Sequence, residues 1–417
     1  MNTSRRALLG VAAGFGVSVS FLGKQAFAAS EGELAKRKLI VVICRGGMDG
    51  LSVSPPVGDP DYAALRGAIA IPRDQALMLD GTFGLHPALK ATHALALKGQ
   101  ARIAPSIASP DRARSHFEAQ DVLESGANVV YGAGSGFLNR ALEAMSPQRK
   151  VEALSVGATA PLILRGKIQA ASWSPGRTKE DDPRLPTILM DLYANDPLLG
   201  PAFARGLETE AMAQTAMTNL PGVAMSGQGA DGMMQPGATV AGLQRQGQAA
   251  SRALGATLAG FMVQPGGPQI AAISLDGFDT HANQGAATGQ LATRLAYMDA
   301  VLDGVSAGLG DEWKNTVVVC ATEFGRTARI NGTAGTDHGT ASTVLLLGGA
   351  LKTGGIVGDW PTLKQSALFE NRDTAPTLDM RGLFKGILAD HIGVERRALD
   401  TLVFPDSAGV APLSGVV

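Results

Sequence analysis

Thr316-Val317-Val318-Val319-Cys320-Ala321-Thr322-Glu323-Phe324-Gly325-Arg326-Thr327 decides the fold, read together with Gly335-Thr336-Asp337-His338-Gly339 and the apolar run 343–347 that follows. The first run is short, β-branched and apolar on both parities, the mark of a strand buried on both faces. It stops at an acidic residue, and the next loop sets Asp-His directly before another strand-like run. Open α/β sheets build their sites outside the carboxyl ends of the strands, so this spacing predicts functional side chains there. Two other segments repeat the pattern. The run 270–275 ends in Asp276-Gly277-Phe278-Asp279-Thr280-His281, and the run 39–44 opens into Arg45-Gly46-Gly47-Met48-Asp49-Gly50.

Further strands are expected at 101–105, 153–156 and 344–347. Helical periodicity covers 87–97, 116–125, 137–145, 240–262, 290–309 and 380–392. Strands alternating with helices predict an α/β fold with a doubly wound, mostly parallel sheet flanked by helices. At 417 residues, 45% hydrophobic and 18% charged, the chain has globular composition and enough length for a large core. The expected organisation is one domain over 29–417, with a Met- and Gly-rich mobile segment near 205–238.

Residues 1–28 read as an address. Ser4-Arg5-Arg6 precedes a weakly apolar stretch, then Lys24 and Ala26-Phe27-Ala28, a small-residue cleavage pattern before Ala29. This predicts a twin-arginine signal peptide, engagement of the twin-arginine export machinery, and a periplasmic or secreted protein. No later window offers the ~18 apolar residues of a membrane span. Three of the 36 basic residues and none of the 37 acidic ones lie in 1–28, leaving a charge of −4 on the rest. That balance gives no basic footprint for nucleic acid. Two cysteines, Cys44 and Cys320, make no disulfide framework and read as buried thiols at the ends of strands.

The side chains that cluster at the expected strand ends suit a divalent metal. Asp279 and His281, with Asp276 as a competing ligand, Glu323, and the pair Asp337-His338 supply carboxylates and imidazoles. Asp49, at the mouth of the first strand, is a further ligand candidate, although a glycine-flanked Asp is by default a turn residue. The metal is zinc, calcium, magnesium or manganese, with one ion or two. Arg112-Ala113-Arg114-Ser115-His116-Phe117-Glu118 contains Ser-x-x-Glu before a helix, a capping box. A helix N-terminus also attracts anions, so Ser115 has three readings, cap, nucleophile or ligand contact, with Arg114 and His116 beside it. His86-Pro87 opens a helix; His86 and Arg326 are candidates for holding substrate. Gly132-Ala133-Gly134-Ser135-Gly136 lacks the dinucleotide fingerprint, and there is no nucleophile elbow, Walker loop or His-Glu-x-x-His helix.

Taken together, Arg45 to Leu51, Leu85 to Leu89, Arg114 to Phe117, Gly277 to His281, Thr322 to Thr327 and Asp337 to Gly339 resemble a family of exported bacterial proteins. That family is described as a domain of unknown function and placed in the alkaline phosphatase superfamily. The resemblance implies an alkaline-phosphatase-like fold. It also implies that Asp49 is the first-strand ligand, Ser115 stands in the nucleophile's place, Asp279 and His281 form the central pair, and His338 is the final histidine. Phe324 stands where the superfamily carries histidine, and Asp279 lies closer to His281 than is usual there. Either one ion is missing or Asp337 and Arg326 compensate. The function expected is a metal-dependent hydrolase of a phosphate or sulfate ester, on a small molecule or a polymer-borne anionic group, attacked by metal-bound water or Ser115. The alternative is a non-catalytic periplasmic binding or scaffold protein that keeps the fold.

Overall fold

The computed structural model describes residues 18–22, 36–145, 161–168, 170–173, 240–264 and 267–417. The expected strand at 153–156 and the segment 205–238 lie outside these residues, as does the address apart from 18–22. The strands are β1 (Ser18–Leu22), β2 (Lys38–Cys44), β3 (Leu77–Met78), β4 (Gly84–Leu85), β5 (Ala101–Ala108), β6 (Ala170–Trp173), β7 (Ile270–Leu275), β8 (Thr316–Ala321), β9 (Ser342–Leu347) and β10 (Leu378–Asp379). The helices that matter below are α1 (Gly50–Val53), α2 (Tyr62–Arg66), α3 (Lys90–Ala96), α4 (His116–Ser125), α5 (Phe137–Met145), α6 (Val240–Val263), α7 (Gln290–Leu309) and α8 (Met380–Ile387). The helical period expected over 380–392 changes hand-hold at Leu388, where a π-turn runs to Ile392 and Gly393 closes it at φ 87°. No helix among the described residues is long and apolar enough to cross a membrane.

The large sheet has the order β10-β5-β9-β8-β2-β7-β1-β6. Its six-strand centre, β10 to β7, is mixed rather than mostly parallel. β2 runs parallel to both β7 and β8, and β10 runs parallel to β5, but β9 is antiparallel to β5 and β8. The reason lies in the connection. A parallel neighbour needs a crossover, usually a helix, whereas residues 322–341 form no helix and turn back at the carboxyl edge of β8.

Both faces of the centre are buried, as the unbroken apolar runs require. Along β2, Ile40, Val42 and Cys44 face one core with Leu258, Met298 and Leu302 from α6 and α7. Leu39, Val41 and Ile43 face the other, with Phe137 and Leu138 from α5 and Leu383, Phe384 and Ile387 from α8. The result is a helix–sheet–helix sandwich. Cys44 and Cys320 are free and buried. They share one face of neighbouring strands, two positions out of register.

This topology decides where the loops meet. β2, β7 and β8 end at the same edge, β9 begins there, and β5, antiparallel to β9, ends there too. Five segments of four connections therefore converge: Arg45 to Gly47, Asp276 to Gln284, Thr322 to Gly325 and Asp337 to Thr340 from the β8–β9 connection, and the segment leading into His116. They pack closely enough to demand glycine. Gly46 sits at φ +115°, and a Cβ on it would lie 2.5 Å from the Asp279 backbone nitrogen. A Cβ on Gly325 would lie 1.8 Å from the Ala341 carbonyl oxygen.

Candidate metal centre

Three imidazoles meet one carboxylate at this edge. Asp279, delivered by β7, lies with Oδ1 3.0 Å from His281 Nε2 and 3.4 Å from His338 Nε2. Its Oδ2 lies 3.4 Å from His116 Nε2. One donor atom each from His116, Asp279 and His338 fits within a sphere of contacts no wider than 4.8 Å. The rings also pack on one another, His116 against His338 at 4.4 Å and His281 against His338 at 4.7 Å between centroids. Phe324 lies against both His116 and His338. It is a wall of the centre in the position where the resemblance leads one to look for a ligand.

The other nitrogen of each ring is committed. His116 Nδ1 donates to Glu323 Oε1 at 2.8 Å, His338 Nδ1 donates to the Arg114 carbonyl at 2.8 Å, and His281 Nδ1 faces Asp337 Oδ1 at 3.3 Å. For His116 and His338 those partners put the proton of the neutral ring on Nδ1 and leave Nε2 facing inward; His281 has a carboxylate oxygen at each nitrogen, Asp337 at Nδ1 and Asp279 at Nε2. The Nε2 atoms of His281 and His338 approach to 2.9 Å, hydrogen-bond distance when His281 carries its proton there. His116 Nε2 is buried without a hydrogen-bond partner. Three Nε2 atoms gathered around one carboxylate, one of them unpartnered, present donors that a shared cation would satisfy. Outward carboxylates or carbonyls on ligand histidines are the usual support of a metal site. The residues present therefore fit a divalent ion held by His116, His338 and Asp279, with His281, 3.0 Å from Asp279 and 2.9 Å from His338, as a fourth candidate.

Glu323 stands behind the centre. It is buried and accepts hydrogen bonds from His116 Nδ1, the Gly46 amide at 2.8 Å and Thr322 Oγ1 at 2.9 Å. Burial alone would raise its carboxyl, but these bonds outweigh it and hold the group below the usual carboxylate range. The same Glu323 bond raises His116, against the effect of burial. Asp279 is likewise pushed up by burial, yet the Arg326 guanidinium and the nearby imidazoles bring it below its ordinary value. Asp337 is lowered on balance by Asn331 and His281 against its own desolvation. His338 is lowered, chiefly by burial.

The remaining residues singled out from sequence take other places. Arg326 is fully buried, donating to the carbonyls of Gly47 at 2.7 Å, Thr336 at 3.1 Å and Gly46, and to Asp279. It ties three of the converging loops together. Asp49 is buried beside Arg66 of α2, Ser52 and Gln284, and is not among the residues that meet at the centre. Its neighbour sets, not its strand-end position, decide this. His86 is buried, its Nε2 donating to the Ala286 carbonyl at 2.9 Å and its Nδ1 accepting from the Ala88 amide at 3.0 Å. The Arg114 side chain turns to Asp373 at 2.8 Å and Glu370 at 2.5 Å, so only its carbonyl serves the centre. Asp276, raised mainly by burial, is half-buried and not part of the cluster.

Ser115 is the residue before α4, but its side chain makes no cap hydrogen bond. The expected capping box is thus not formed, and Ser115 stands between the Arg114 carbonyl that holds His338 and the ring of His116. Gln120, one turn into α4, is a residue that sequence reasoning passed over. It bridges Arg45 at 2.6 Å and Glu323 at 3.3 Å. Only its i+4 spacing from His116, which puts both on one helix face, could have marked it.

A family model described as Protein of unknown function (DUF1501) matches residues 36–403. No curated protein and no solved structure matches the chain. The match covers well over half of its length, and the chain belongs to that family.

Proposed function

We propose that this family member carries a divalent metal on His116, His281, His338 and Asp279 and hydrolyses a phosphate or sulfate ester there. The observation that carries the proposal is the shared orientation of three imidazoles, each bound outward through Nδ1, with Nε2 turned to one carboxylate. Three nitrogens and one oxygen suit zinc better than calcium or magnesium, which prefer oxygen shells. Bound there, the ion supplies Lewis-acid polarisation of an ester oxygen.

The chain's own contributions are positional. Asp279 brings negative charge beside the cation, and Glu323 fixes the His116 ring. The first amides of α4 have no intrahelical acceptor and present the positive end of the helix to an anion. Ser115, at that end with its hydroxyl unused by the helix, is the nucleophile in this reading. An alkaline-phosphatase-like plan and export through a twin-arginine signal remain part of this reading.

One observation favours the rival, a non-catalytic ion-binding protein. Arg114 and Arg326 are both consumed by contacts within the protein, so neither side chain is spare for an anionic substrate. The deciding experiment is metal analysis of protein purified without added histidines, followed by turnover of phosphate and sulfate esters with zinc, manganese, magnesium and calcium. Ser115→Ala should stay as stable as wild type, without the ~0.5–2 kcal/mol loss typical of a cap, and should lose turnover. Metal bound with no turnover in wild type would leave the ion-binding reading.

A further inference from the structure

We infer that Asn331 is a positioning residue for His281, a role that rests on the metal-centre reading above. His281 is the most exposed of the three imidazoles and sits in an open loop, so it needs support from outside that loop. Asn331 supplies it from the β8–β9 connection. Its Nδ2 donates to the His281 carbonyl at 2.9 Å and to Asp337 Oδ1 at 3.1 Å. That Asp337 oxygen is the one that faces His281 Nδ1. One amide therefore holds both the backbone of His281 and the carboxylate that orients its ring.

The other end of the side chain does something different. Asn331 Oδ1 accepts from the Thr333 amide at 3.0 Å and the Gly335 amide at 3.0 Å. This closes the turn 331–335, whose own backbone bond runs from the Asn331 amide to the Gly335 carbonyl at 2.9 Å. The single hydroxyl proton of Thr333, within reach of Asn331 Oδ1 at 2.9 Å, has its shorter contact with the His281 carbonyl at 2.6 Å and adds a second donor there. Gly335 lies so near that a Cβ on it would come within 2.3 Å of the same carbonyl. The turn is a clamp on His281, and the two halves of the Asn331 amide divide the work. The oxygen shapes the clamp and the nitrogen applies it.

That division makes a purely structural role separable by experiment. Asn331→Asp keeps an acceptor for Thr333 and Gly335 but removes both donors to the His281 side. Asn331→Ala removes everything. Cobalt(II) added to the purified full chain serves as the probe, read by its visible absorption and by its affinity in competition with a chelator. Both variants should bind cobalt roughly tenfold or more weakly, as loss of an outer-shell partner typically does. Their spectra should shift toward that of His281→Ala. In a His281→Ala background, Asn331→Ala should cause no further loss, because coupled residues are not additive. If Asn331→Ala does not fold, the Asn331→Asp variant carries the test. Unchanged affinity and spectrum, or an equal loss with and without His281, would overturn the role of Asn331 while leaving the centre standing. Failure of wild type to bind cobalt would instead remove the centre itself.

Discussion

Glutamine in place of Glu323 tests how the centre is held, because it changes charge and almost nothing else. The carboxylate is fully buried and accepts from His116 Nδ1 at 2.8 Å, the Gly46 amide at 2.8 Å, Gln120 Nε2 at 3.3 Å and Thr322 Oγ1 at 2.9 Å. The isosteric amide oxygen can keep His116 and Gly46, and the Thr322 hydroxyl can rotate to accept from the new NH2. What is lost is the charge on the acceptor. A hydrogen bond to a charged partner contributes about 1.5–3 kcal/mol against about 0.5–1.5 for a neutral pair. The difference, of order 1–1.5 kcal/mol, is about tenfold in affinity. Carboxylates behind metal-bound histidines cost about 10- to 100-fold when altered, and the two estimates meet at roughly tenfold. Zinc or cobalt affinity should therefore fall by about that factor, measured by chelator competition, with circular dichroism and melting temperature close to wild type. A folded variant with wild-type affinity would refute the argument that Glu323 acts on the metal through His116.

Three further outcomes follow from the packing. Arg326→Lys should cost at least about 2 kcal/mol in chemical denaturation, since one ammonium cannot reach the Gly46, Gly47 and Thr336 carbonyls together and leaves buried acceptors unpaired. Gly46→Ala should lower both stability and metal affinity, because φ +115° and a Cβ 2.5 Å from the Asp279 nitrogen must displace a ligand's backbone; metal titration beside a urea melt separates the two losses. His391, buried and donating to the Lys38 carbonyl at 3.0 Å, is lowered by burial to about 4. Its stabilisation is complete above the unfolded value of about 6.5 and is lost as pH falls toward 4, about 2 kcal/mol of it by pH 5. His391→Gln should flatten that part of the pH dependence of the urea midpoint.

The sheet was legible where burial imposes a pattern on consecutive residues. The runs behind β2, β7 and β8 are apolar without interruption because both faces are covered, and α4, α5 and α7 keep an apolar face at helical spacing. The direction of β9 was not legible from its own residues. Direction depends on the connection, and the sign of it was the lack of any helical period between Arg326 and Ala341. Among site residues, Asp279, His281 and His338 announce themselves at strand ends. The part played by His116 does not, because its partner Glu323 lies 207 positions away. Asp49 has the same glycine-flanked strand-end setting as a ligand, yet Arg66 and Gln284 reach it from elsewhere in the chain, and no local pattern signals that. The Ser-x-x-Glu at Ser115 shows the converse, a local motif whose side-chain bond the fold does not make.

The convergence of distant loops also fixes an order of events. His116, His281 and His338 reach one another only after β5, β7, β8 and β9 have taken their places, and such long-range pairings form late because loop closure must come first. An ion cannot seed this fold as it does a zinc finger, where binding and folding are one step. On the metal-centre reading, it would arrive at a finished cradle. On the reading proposed above, the pool of ions in the compartment where the sheet closes then decides which metal is captured, since affinity alone favours copper over zinc at a site of nitrogen and oxygen donors. Under the export proposed above, folding before transport would load the chain from inside the cell, and folding afterwards would leave it to take what it meets outside. The geography of folding thus becomes part of the specificity of the site.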